Sequence, residues 1–491
     1  MDSLPVQQLK PGLVNLPGAT PASAALVSTL LHDDFLTHHC YFNDLHFHNH
    51  LSHHVLSLHD LGAPPECIQS MFDRDAALQR PLLHGKADAK TGAKADAISI
   101  ANWTSHMGES NAPMYADYLA FFSSEIATHG VPSTLARFVF SPEANGNGTL
   151  MLARLFGGLM HPLIFIGFGV EFGLDFLVAQ GLAIAALTTP EGASVIADTP
   201  AGLPEIKAGP PTTLLALLRE VYDTPALQPV PYAEGHDPRT LQLDAARSAA
   251  LRAIYAKWTF PTAPDPGPAA DGDADADVSS KIDECMWQAA LLLGATGRPA
   301  RAPRPDFFLM HVLTSAIALR PIARVLAAPR HRAQLLHAHA RAAAHFVVLR
   351  GRPRIDCALV MAYPAEPAPP ARAPTSASAA PAPGAGGSAW LPLLHNACAH
   401  PEPHVVKAVR VLFHCAQRLG HTRARGVPGA VDAAGAETHA GAADLDGTLF
   451  VRVAGALTQV LGWVAHGDAE RFWDFSGVGW DEAWREAQAK D

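Results

Sequence analysis

The chain has 491 residues, 48% of them hydrophobic, with 36 Lys and Arg against 46 Asp and Glu for a net charge of -10. That is ample apolar material for a large core, which excludes global disorder, and the acidic balance argues against a binder of nucleic-acid backbones. The six cysteines (Cys40, Cys67, Cys285, Cys357, Cys398 and Cys415) are scattered without a Cys-x-x-Cys pair, so no disulfide framework or zinc ribbon is expected. The 26 histidines direct any transition-metal site toward imidazole donors.

The start, Met1-Asp2-Ser3-Leu4-Pro5, has no basic stretch followed by an apolar run, and the last residues, Gln488 to Asp491, match no lipidation or peroxisomal signal. A cytoplasmic location with no membrane partner is expected. The longest apolar run, Leu155 to Val170, is shorter than the ~20 residues of a membrane span and contains Pro162. It reads as a buried core segment.

Taken along the chain, the pattern is helical. Leu51, Val55, Leu58 and Leu61 share one helix face. Tyr115 to Thr128 and Phe307 to Leu319 are long enough for helices and contain no Gly or Pro, whereas Asn145-Gly146 after Pro142 reads as a loop. From Pro403 to Leu419, Val405, Val409, Leu412, Phe413 and Ala416 form an apolar stripe, with Pro403 at the start and Gly420 just past the end. Three tracts rich in Pro, Ala and Gly, 262–277, 364–389 and 422–446, read as loop insertions unable to order themselves. The expected fold is all-α, a single large domain over residues 1–491 interrupted by these loops.

Candidate chemistry is carried by histidines. Nine lie between His32 and His59. On a helix His50 can act with His53 or with His54, and periodicity puts His54 nearer the apolar face. His161 sits inside the long apolar run and must have a partner, a backbone carbonyl or a ligand. Glu171, ten residues on, would pair with an arginine or steer a ligand histidine. His311 lies in a segment with no charged residue from Phe307 to Leu319, where Thr314, Ser315 or a metal would satisfy it. His404 and Lys407 are neighbours at i and i+3, although periodicity sets Lys407 off the apolar stripe, as a snorkelling lysine would be. If buried, its amine would have a lowered pKa and could take up carbon dioxide to become an anionic carbamate. No GxGxxG, Walker, HExxH or GxSxG motif occurs.

Several segments together resemble the fungal questin oxidase-like family. They are His48-Asn49-His50 with His53; Ala101-Asn102-Trp103 with Tyr115 and Tyr118-Leu119; Arg154 through Gly158 leading into His161-Pro162-Leu163-Ile164; Gly167 through Phe172; Arg350-Gly351-Arg352-Pro353; His400 through Lys407 with Arg410; and Trp473 through Trp484. The resemblance implies an oxygenase, Baeyer–Villiger-type or dioxygenase, acting with dioxygen on a polyketide-derived anthraquinone, with NADPH as a source of electrons. It further implies non-haem ferrous iron held by His50 or His53, together with His161, His311, His404 and a carboxylated Lys407. His404 and Lys407 are its expected catalytic pair. A flat substrate is expected in an apolar cavity near Trp103, Phe165, Phe168 and Phe308. A metal-free Baeyer–Villiger monooxygenase and a non-catalytic pigment-binding protein are the alternatives.

Overall fold

Two consecutive helices, His161–Phe172 and Asp175–Leu187, are apolar on nearly every side, and both are buried along almost their whole length. A helix with no polar face belongs at the centre of a protein, and helices Leu51–Asp60, Tyr115–Phe138, Met151–Phe156, Phe307–Ala316 and Leu319–Val325 pack against this pair. The computed structural model describes residues 7–82, 97–197, 212–233, 235, 237–260, 271–370 and 387–486. Among them the regular structure is helical, with isolated β-bridges and no strand. One contiguous core runs from Val14 to Trp473. One helical stretch, Phe307–Val325, is long and apolar enough to cross a membrane, and 89% of its most apolar window is buried inside the protein.

The helices that matter for the site are Leu51–Asp60, Pro65–Ala76, His161–Phe172, Phe307–Ala316 and Pro403–Leu419. The last has the bounds that its sequence signals predict. Glu402 caps its start and Gly420 ends it. The Tyr115 helix runs on to Phe138 across a kink at Gly130, whose φ of 76° lies in the left-handed region. Pro142–Asn145, expected as loop, is a single helical turn ended by Gly146.

One of the three expected loop tracts needs correction, and a second is a loop as expected but an ordered one. Residues 262–270 lie outside the described residues, but 271–277 open the long helix Asp271–Gly294. The tract has no proline after Pro268, and its alanines favour helix. Tract 422–446 is ordered by turn chemistry. Asp432 Oδ1 accepts the N–H groups of Ala434 and Ala436, each at 2.9 Å, the Thr438 hydroxyl donates to Gly429 O at 2.6 Å, and Val427, Ala430 and Ala442 are buried. In tract 364–389, residues 371–386 lie outside the described residues, and the rest is irregular, as expected.

The helices are tied together by a buried ion-pair cluster. Arg410 Nε donates to Asp60 Oδ2 at 2.8 Å and Arg410 Nη2 donates to Glu171 Oε1. Phe168 and Phe172 lie against the guanidinium, 5.0 and 5.5 Å from ring centre to Cζ. The N-terminal segment completes the cluster, with Leu13 N donating to Glu171 Oε1 at 2.7 Å and Asn15 N to Asp60 Oδ1 at 2.8 Å. Gly12 permits that approach, since a Cβ there would lie 2.2 Å from Asp60 Oδ1. Removing the cation leaves two buried carboxylates unpaired, so Arg410→Ala is expected to cost about 3–5 kcal/mol, read as a lowered urea midpoint.

Buried histidines also set the pH response. Burial lowers His337 to about 3, and His339 and His345 to about 4, from an ordinary 6.5. Below pH 6.5 the unfolded chain binds protons that the folded chain does not. Stability therefore falls with pH through the interval from the ordinary value down to these lowered ones, by about 1.4 kcal/mol per histidine per pH unit. The melting temperature is expected to be level near pH 7–8 and to drop steeply between pH 6.5 and 4.5.

Candidate functional site

Three histidines remote in sequence meet at one point. His50 Nε2 stands 3.1 Å from His161 Nε2 and 3.1 Å from His404 Nε2. Their ligand atoms all lie within 4.8 Å of one another, a grouping that can hold a metal ion. His50 precedes the 51–60 helix at its N-cap, His161 is the first residue of the 161–172 helix, and His404 lies in the first turn of the 403–419 helix. The site is thus built from helix N-termini.

Hydrogen bonds on the far side of each ring decide which nitrogen faces inward. His161 Nδ1 donates to Gly158 O at 2.7 Å, and His404 Nδ1 donates to Glu402 Oε1 at 2.5 Å. A neutral imidazole whose Nδ1 carries the proton presents a lone pair at Nε2, which is the tautomer that binds metals. Burial holds His50 and His161 well below 6.5 and also lowers His404, with Lys407 and neighbouring histidines adding to the effect. With lone pairs on His161 and His404 facing His50, a single proton on His50 Nε2 can serve only one of them. A cation serves all three.

The group has a closed side. His311 Nδ1 donates to Phe307 O at 2.8 Å, leaving its buried Nε2 without a partner. Its ring centre lies 5.1 Å from that of His161 and 5.0 Å from that of His404. His53 is wholly buried with both ring nitrogens unpartnered, 4.8 Å from the His50 ring centre. Lys407 Nζ is also buried and unpartnered, and burial brings its pKa from 10.5 down to about 7, with Glu402 pulling the other way. The sequence pattern had set Lys407 off the core. It is 2% exposed, because other helices cover the 403–419 helix on nearly every side. An unpartnered buried polar atom is costly, and here several of them border one spot. The residues present therefore fit a metal.

The alternatives at residues 53 and 54 separate clearly. His53 faces the group, its ring edge-on to Phe165 at 5.4 Å. His54 turns to the 65–76 helix, where its Nδ1 meets Asp75 Oδ2 at 2.7 Å. Glu171 takes the arginine partner, Arg410, and no hydrogen bond to a histidine is found among the described residues.

His161 is delivered by a costly piece of backbone. Gly158, Leu159 and Met160 are consecutive left-handed residues, with φ of 54°, 56° and 63°. Each non-glycine residue in that region costs roughly 1–2 kcal/mol. Gly158 N donates to the buried Glu191 Oε2 at 3.1 Å, and Ser315 Oγ donates to Met160 Sδ at 2.9 Å. The turn sets His161 at its helix start and Leu159 on the wall of a cavity. A side chain at Gly158 would meet His48 Cε1 at 2.7 Å.

That cavity, 520 Å³ in volume, opens onto His50, His161 and His404. His53, His311 and Lys407 are not among its lining residues. Phe42, Phe47, Leu159 and Phe307 give it apolar walls, and the exposed Leu78 and Phe472 stand on it too. The four aromatic residues expected to form the pocket do not line it. Trp103 packs on Phe122 and Phe138, Phe165 on His53, Phe168 on Phe172 and Arg410, and Phe308 under Arg350. All four serve the core because their segments are buried on every side. Phe42, Phe47 and Phe472 lie in irregular segments without periodicity, which is why the sequence did not single them out.

A family profile described as Questin oxidase-like matches residues 47–412, well over half of the chain. The protein belongs to the questin oxidase-like family. Oxidoreductase AflY of Aspergillus parasiticus is 28% identical over 313 residues, which cover 62% of this chain and 59% of AflY. Questin oxidase of Aspergillus terreus is 28% identical over 402 residues, 80% of each chain. Baeyer-Villiger oxidase ptaJ of Pestalotiopsis fici is 30% identical over 292 residues, 59% of this chain and 60% of ptaJ. The match to AflY and ptaJ therefore spans only about three fifths of their lengths.

The three-histidine grouping generates a direct test. His161→Ala and His404→Ala are expected to keep their far-UV circular dichroism while losing most of the about one metal equivalent per chain expected of a single site. His53→Ala should weaken metal binding, and His54→Ala should leave it intact. Full metal content in His161→Ala, measured by elemental analysis of untagged protein, would remove His161 from the centre.

Proposed function

We propose that this protein is an oxygenase that inserts oxygen next to a ring carbonyl of a polyketide-derived anthraquinone, or of its reduced form, giving a lactone whose hydrolysis by water opens the ring. The observation that carries the reading is the convergence of three imidazole Nε2 atoms on the wall of a largely apolar 520 Å³ cavity. Relatives named questin oxidase and Baeyer-Villiger oxidase support the class of reaction.

In this reading ferrous iron is held by His50, His161 and His404 on the open side, with His53, His311 and Lys407 behind them. Iron so held supplies activation of dioxygen. The chain does the rest. Phe42, Phe47, Leu159 and Phe307 hold a flat ring and keep water from it. Gly158 O and Glu402 keep the protons of His161 and His404 on Nδ1. Lys407, with an amine near neutrality at pH 7, takes up carbon dioxide and releases a proton to become a carbamate. That anion offsets cationic charge where the imidazoles supply none. One oxygen atom enters the product and the other leaves as water, which consumes two electrons from the reduced substrate or from NADPH.

The test is oxygen uptake with a hydroxylated anthraquinone, with and without NADPH, on metal-free and iron-loaded protein. Lys407→Arg is expected to lose iron and uptake together, on the order of 100-fold, because guanidinium stays protonated. Lys407→Glu should retain part of both. Equal turnover by metal-free protein would favour a metal-free monooxygenase, and wild-type turnover by Lys407→Arg would return that lysine to a structural role.

A further inference from the structure

His404 is held from outside by a chain of hydrogen bonds that ends in a distant segment. Glu402 Oε1 takes the His404 Nδ1 proton, and the same oxygen caps the helix by accepting His404 N at 3.2 Å. The other oxygen, Oε2, accepts Trp473 Nε1 at 2.5 Å. The Glu402 side chain is 20% exposed, on the cavity wall. Each Glu402 oxygen is thus engaged, one by the imidazole and the other by the indole.

Trp473 belongs to segment 470–476, which lies beyond residues 47–412, the stretch covered by the family profile. The segment touches the support of a second histidine as well. Phe307 N donates to Asp474 O at 2.8 Å and Asp474 N donates to Pro305 O at 2.9 Å. Phe475 stacks on Phe307 with ring centres 4.4 Å apart, and Phe307 O is the group that fixes His311 Nδ1. Glu470 and Phe472 stand on the cavity wall.

We propose that Trp473 is a positioning residue for the metal-binding imidazole of His404, acting through Glu402, so that segment 470–476 is a working part of the metal centre. The inference rests on the metal-binding reading above. A carboxylate behind a ligand imidazole fixes its orientation and raises its basicity. An indole N–H is a donor only, so Trp473 can fix Glu402 without competing for the histidine proton. The indole bond costs Oε2 its freedom to rotate toward His404, which leaves Oε1 as the acceptor.

The experiment uses the full chain and cobalt(II) as the probe, read by competition with a chelator and by the cobalt d–d absorption. Trp473→Phe keeps an apolar ring and loses the donor. Glu402→Gln keeps the shape and loses the charge. Each is expected to weaken cobalt binding 10–100-fold and to shift the d–d bands. Trp484→Phe is the control. It removes a comparable indole hydrogen bond, to Val478 O at 2.9 Å, and should change neither affinity nor spectrum. Wild-type affinity and spectrum in folded Trp473→Phe would overturn the proposal. If Trp473→Phe does not fold, Glu402→Gln decides in the same way. If the wild-type chain itself binds no cobalt, the metal reading falls, and this inference falls with it.

Discussion

Arg410 is the residue on which the arrangement depends. It has no exposed surface, and it pairs with Asp60 at the end of the 51–60 helix and with Glu171 near the end of the 161–172 helix. Those helices and its own begin at His50, His161 and His404. The three histidines sit at one end of three helices, and one guanidinium binds the helices together further along. Buried ion pairs contribute little net stability, but they are demanding about geometry. A cluster of one cation and two anions, closed by backbone N–H groups of residues 13–15, fixes how the three helices lie relative to one another. It therefore fixes the separation of three imidazoles that it never touches.

The fourth helix repeats the device. Asp306 caps the helix that carries His311 and is paired with Arg350, both fully buried. Arg350 also donates to Phe475 O at 3.0 Å. Every element that brings a histidine to the centre is thus anchored by a charge-assisted contact away from it. This matters because the centre itself, without a cation, is a crowd of lone pairs and an unpartnered amine that would favour separation. The left-handed run at 158–160 adds strain to the same account. Strain of that kind persists only when the surrounding contacts over-determine it.

The two sides of the centre differ in kind. His50, His161 and His404 meet the cavity, while His53, His311 and Lys407 lie behind them, sealed from it. Behind, His311 is held by its hydrogen bond to Phe307 O and His53 and Lys407 by packing alone, while in front Gly158 O holds His161 and Glu402 holds His404. Such a division leaves one face of the group open to the cavity and closes the others to water.

Much of this was legible in the residues. The helical class followed from period-3.6 apolar patterning, and the 403–419 helix from its Pro, its stripe and its Gly. That His161 and His311 are buried followed from apolar neighbours on both sides, because a polar group in such a run must be satisfied somewhere. What sequence could not settle was direction. On a helix covered on one side, periodicity tells the inner face. On one covered from nearly every side, as at Lys407, it does not, and a lysine off the stripe can point to the centre as well as to water. The same limit applied to His53 and His54, both buried but facing opposite neighbours, and to Trp103, Phe165, Phe168 and Phe308, expected on a cavity wall and found off the cavity that the three histidines share. Which buried side chains share a space depends on how helices cross. Here that depends on Arg410, whose two partners lie 350 and 239 residues away, a separation at which no local pattern carries information.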